Sequence, residues 1–110
     1  MNINIDDVLV EMLSTMKGTV GEHWSDVRTV AEQFLQRRKE RLELLAQLRI
    51  SGDLSQEKFE SRLLDEKLIA EAELNALGVL SKAVTQKAAS DGLEILKKAV
   101  GTAILGAISK

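Results

Sequence analysis

Cysteine, proline and tyrosine are absent from this sequence, and its aromatic residues amount to one tryptophan and two phenylalanines. Without cysteine there is no disulfide framework, no thiol nucleophile and no thiolate metal site. Without proline, no residue forces a break in a helix. A β-sandwich or barrel needs turn chemistry about every ten residues and strands rich in aromatic and β-branched side chains. Neither is present. Charge of one sign is also missing: the formal net charge of −2 provides no global attraction to nucleic acid or anionic lipid. The opening residues, Met1 to Asp7, lack the basic and apolar regions of a signal peptide, so a cytoplasmic protein is expected.

What remains is a chain of 110 residues, 45% hydrophobic and 29% charged, enough for one folded domain. Its apolar residues recur at helical spacing nearly throughout, which predicts an all-α fold. Asn4 caps a first helix over about 4–17, with Ile3 and Val8 at the staple positions and Asp6 and Asp7 at the positive helix terminus. Ile5, Val8, Leu9, Met12, Leu13 and Met16 form its apolar face. Gly18 and Gly21 weaken the helix there, and Thr19 with Glu22, or Ser25, restarts it. A second helix is expected over 25–50, ended by Gly52 as a C-terminal cap. A third begins at the Ser55 N-cap, with Leu54 stapled to Phe59, and runs over 55–89. Ser90, Asp91 and Gly92 then mark either a bend or the start of a separate helix over 91–108.

The short link at Ser51-Gly52-Asp53 makes the two long helices antiparallel. The expected architecture is a long helical hairpin accompanied by a shorter N-terminal helix and a C-terminal apolar helix, in a helical bundle. Turning the hairpin at Gly52-Asp53 sets two polar interruptions at the same height. Arg38 then faces the neighbourhood of Lys67, and Arg41 that of Leu64 and Asp65. Residues 37–43 carry four basic and two acidic groups, and residues 65–73 four acidic and one basic. Arg38, Arg41, Asp65, Glu66 and Lys67 are therefore candidates for an ion-paired layer that sets register or oligomer state.

Other chemistries fit less well. Nucleic acid is not expected as a partner, because the basic run at 37–41 is small, mixed with acid and free of interleaved aromatics. A carboxylate-bridged di-metal centre needs Glu-x-x-His pairs, and the single histidine, His23, has Val20 three residues before it. The serines sit at caps and loops, with no Gly-x-Ser-x-Gly elbow. Gly101 and Gly106 follow no strand and so form no phosphate loop. No catalytic residue, cofactor or metal is expected, and an enzyme is not.

In the C-terminal segment, Leu96, Val100, Ile104 and Ile108 recur every fourth residue, flanked by Ala99, Ala103 and Ala107. The uncharged stretch is shorter than the roughly 20 residues a bilayer span requires. These four residues are expected to form a buried or partner-binding face, with a membrane surface as the alternative occupant. A hairpin covered only in part by two short helices exposes apolar surface, so the sequence predicts a homo-oligomer. A dimer is favoured, together with an unidentified protein partner.

Overall fold

The computed structural model describes residues 3–108, and side chains through residue 106. The described chain is all-α. Four helices follow in order: α1 (Ile5–Val20), α2 (Trp24–Ser51), α3 (Gln56–Asn75) and α4 (Lys82–Ile108), with one turn of 3-10 helix, Gly21–His23, between the first two.

The caps explain most boundaries. Asn4 Oδ1 accepts the Asp7 amide at 3.2 Å, and Ser55 Oγ accepts the Lys58 amide at 3.2 Å. Gly52, at φ +87°, closes α2 and donates its N–H to the Arg49 carbonyl at 3.2 Å. Leu54, at the staple position, is partly buried against the core that contains Phe59. The restart after α1 differs from expectation. Thr19 does not cap a new helix: its hydroxyl donates to Asp91 Oδ2 at 2.8 Å, across to α4. Gly21 ends α1 at φ +70°, and α2 begins at Trp24 with no side-chain cap.

A larger correction concerns the helices expected over 55–89 and 91–108. α3 stops at Asn75, and Gly78, at φ +67°, turns the chain. Ser81 Oγ then accepts the Val84 amide at 3.2 Å and opens α4. Gly92 lies inside α4, where no break or bend starts a new helix. A Cβ at that position would stand 3.0 Å from Met16 Cγ and 3.1 Å from Sδ. Its role is close approach between helices, which allows the buried Met16 of α1 to rest against α4.

Contacts between neighbours define the topology. Asp6 of α1 meets Lys39 of α2 at 2.7 Å, Arg38 of α2 meets Glu66 of α3, and Glu60 of α3 meets Lys97 of α4 at 2.6 Å. Met16 and Thr19 of α1 meet Gly92 and Asp91 of α4. Each pair is antiparallel, so the chain forms an up-down-up-down bundle, 46 Å long and 22 by 21 Å across. One core cluster includes Leu9, Phe34, Leu42, Phe59, Leu96 and Val100. A second, near the α1–α2 and α3–α4 connections, holds Met16, Val20, Val27 and Leu74. Because α4 has 27 residues, comparable with the 28 of α2, four helices of one chain close the seam that a second copy was expected to complete.

Gly92→Leu is expected to overpack the Met16 contact and lower stability by about 2 kcal/mol. Gly92→Ala should stay within about 1 kcal/mol of the parent, its helix-propensity gain offsetting the tighter contact. Urea denaturation of the two variants checks both.

Candidate interaction surfaces

Of the five residues read as a polar layer, the structure brings Arg38 and Glu66 together across α2 and α3. Glu66 is 2% exposed and sits on the buried stripe of α3, between Leu63 and Ala70. Both its oxygens accept from the Arg38 guanidinium, Oε1 from Nε at 2.7 Å and Oε2 from the terminal nitrogen at 2.5 Å. This bidentate bond is the main force raising the Arg38 pKa above its ordinary value. Arg37 pairs with Glu73 beside it. Arg41 and Asp65, placed in the layer by the sequence reading, are instead exposed and form no ion pair among the described residues. Lys67 lies 3.9 Å from Glu71 on its own helix. Register follows the hairpin turn, but helical rotation takes Arg41 and Asp65 off the facing sides.

The basic run is largely occupied. Arg37, Arg38 and Lys39 each hold a carboxylate on a neighbouring helix. The Asp6 carboxylate also lifts Lys39 above the usual lysine range.

On the C-terminal face, Leu96 and Val100 are buried and Ile104 is partly buried against the same core. The side chain of Ile108 lies outside the described residues. Thr85, near the start of α4, is fully buried, and its hydroxyl lacks a hydrogen-bond partner among the described residues. Groups of three or more acidic, histidine or cysteine side chains able to hold a metal are absent among the described residues. His23 is exposed, 3.8 Å from Asp26 and 3.9 Å from Glu22. No described helix is long and apolar enough to cross a membrane.

The outer surface carries a feature that the sequence reading missed. Leu64 and Leu68, one turn apart on α3, are 52% and 54% exposed. In sequence, Leu64 reads as part of the apolar stripe with Phe59 and Leu63. The buried stripe instead runs Phe59, Leu63, Glu66, Ala70 and Leu74, and the glutamate in the middle disguises it. The four-residue spacing of Leu64 and Leu68 was the available signal for a second, outward stripe. Beside them a shallow groove between α3 and α4 is lined by Leu63, Leu64, Lys67, Ser90, Leu93 and Glu94, with the Glu60–Lys97 pair at its edge. That pair holds Glu60 below the ordinary glutamate pKa and Lys97 above the ordinary lysine value.

Two measurements test these contacts. Arg38→Met strands the Glu66 carboxylate in the core and should cost about 3 kcal/mol, whereas Arg38→Met with Glu66→Leu should recover most of it. Unfolding free energies of the single and double variants decide this. Asp91 accepts first from the Thr19 hydroxyl and also from Lys87 at 3.1 Å, and both contacts lower its pKa. A lowered carboxylate stabilises the fold above its unfolded value of about 3.9 and loses that contribution as pH falls through the folded value. The stability gap between the parent and Asp91→Asn should therefore be open at neutral pH and close as pH drops below about 4.

Compared with known proteins, the chain matches no family model, no curated protein and no solved structure.

Proposed function

We propose that this chain is a non-catalytic, cytoplasmic helical module that works by self-association and by docking against another protein. The observation that carries this reading is the exposed Leu64–Leu68 pair beside the α3/α4 groove. Two neighbouring leucines on an otherwise charged helix face form an apolar patch with a polar rim, the arrangement typical of protein contact surfaces. The need to complete a four-helix seam no longer supports self-association, since α1 and α4 cover the hairpin within one chain.

Rival readings find less support. A nucleic-acid surface would need several free cations, and three of the four in the basic run are already paired. Lipid binding through α4 would draw Leu96 and Val100 out of the core and so require the bundle to open.

Sedimentation equilibrium at micromolar concentration is expected to give a mass about twice the chain's 12.1 kDa. A particle of 12.1 kDa across that range would remove the self-association reading.

A further inference from the structure

The connection between α3 and α4, residues 76–81, contains no proline, and Gly78 is its one strong helix breaker. Two local features hold it as a turn: the positive φ of Gly78, +67°, and the Ser81 hydroxyl that caps α4. A Cβ at Gly78 would meet nothing within 4 Å, so the glycine serves the backbone conformation alone. Beyond the turn the core face resumes in phase. Leu74, the last buried residue of α3, and Thr85, the first of α4, would stand about three whole turns apart on a continuous helix. One unbroken helix would therefore keep both buried stripes on the same side. As a turn, the connection leaves Leu77 and Val79 38% and 37% exposed.

We infer that α4 exchanges between two copies of this chain, the 76–81 connection straightening so that α3 and α4 of each copy become one helix. Each α4 then packs on α1, α2 and α3 of the other copy with the contacts it makes in the closed bundle, so the fit of the second copy is supplied by the fold itself. The inference rests on the self-association reading and gives its route. Register identifies what covers the exposed turn. The Glu60–Lys97 pair fixes the height of α4 on α3, and its midpoint in sequence falls between Gly78 and Val79. With that pair kept between copies, the two long helices cross there about a two-fold axis, and Leu77 of one lies level with Leu80 of the other. Straightening the α2–α3 connection would bring no such gain. Its exposed Ser51 and Asp53 are polar and bonded to each other at 2.8 Å, and its Leu54 is already packed against the core. Leu64 and Leu68 remain on the outer surface of the exchanged dimer, where another protein can reach them.

The test compares the parent, Gly78→Ala and Gly52→Ala by sedimentation equilibrium. Each alanine strains a left-handed turn and favours a helix in its place, but only at Gly78 does the straightened helix cover exposed leucine. Gly78→Ala is expected to raise the dimer association constant at least about a hundredfold. Gly52→Ala should lower stability without raising that constant. Exchange is read in the parent itself, by refolding an equal mixture of light and heavy nitrogen-labelled chains and coupling lysine–carboxylate contacts with a carbodiimide. Peptides joining Glu60 to Lys97 should include mixed labels, whereas those joining Asp6 to Lys39, whose helices stay together, should carry one label only. A dimer whose Glu60–Lys97 peptides are all of one label overturns the exchange and leaves self-association standing. Mixed label at Asp6–Lys39 moves the hinge to the α1–α2 connection and overturns this one. An association constant unchanged by Gly78→Ala also overturns the hinge, and a monomeric parent overturns both readings.

Discussion

Gly92 presents bare backbone to Met16, and much of the architecture depends on that approach. A side chain larger than a methyl group there would push α1 away from α4, and α1 is the element that covers the open side of the hairpin. With the helices close, the Thr19 hydroxyl reaches Asp91, and Met12 and Met16 are buried. The bundle is thereby closed by its own four helices. The outer faces are left as the surface available to other molecules.

Charge complements this packing. α1 and α3 are net acidic, α2 and α4 net basic, and every adjacent pair around the bundle combines opposite signs. Like-charged helices occupy the diagonals. Exposed ion pairs contribute little each, but their order disfavours arrangements that set α1 beside α3 or α2 beside α4. The Arg38–Glu66 bond acts differently, since a buried carboxylate that loses its partner is strongly unfavourable. It penalises any slip of α2 along α3, a demand that uniform leucines would not make.

Sequence reading succeeded where local physics decides. Asn4, Gly52 and Ser55 act as caps because hydrogen bonds to neighbouring amides and a left-handed backbone are local requirements. The hairpin register, with Arg38 near Lys67, followed from the turn and fell one residue from the observed partner, Glu66. It failed where tertiary contacts decide. Leu74, Leu77, Leu80 and Val84 keep a near-helical spacing across the break at Gly78, so periodicity concealed the end of α3. Gly92 looked like a breaker because nothing in its neighbourhood reveals that Met16, far away in sequence, needs the space. Glu66 made the α3 stripe look interrupted and drew Leu64 into it, which hid the outward pair Leu64 and Leu68.

The order of the helices also bears on how the chain is made. α1 emerges first during synthesis, yet the helix it packs against most extensively is α4, the last of the four. The hairpin of α2 and α3 has its partners close by in sequence and can pair as it appears. α1 can lean on α2 in the meantime, but the methionines that fit against Gly92 stay uncovered until α4 follows. Through that interval the nascent protein carries an uncovered apolar stripe, and the bundle is completed by the pairing of its most distant helices.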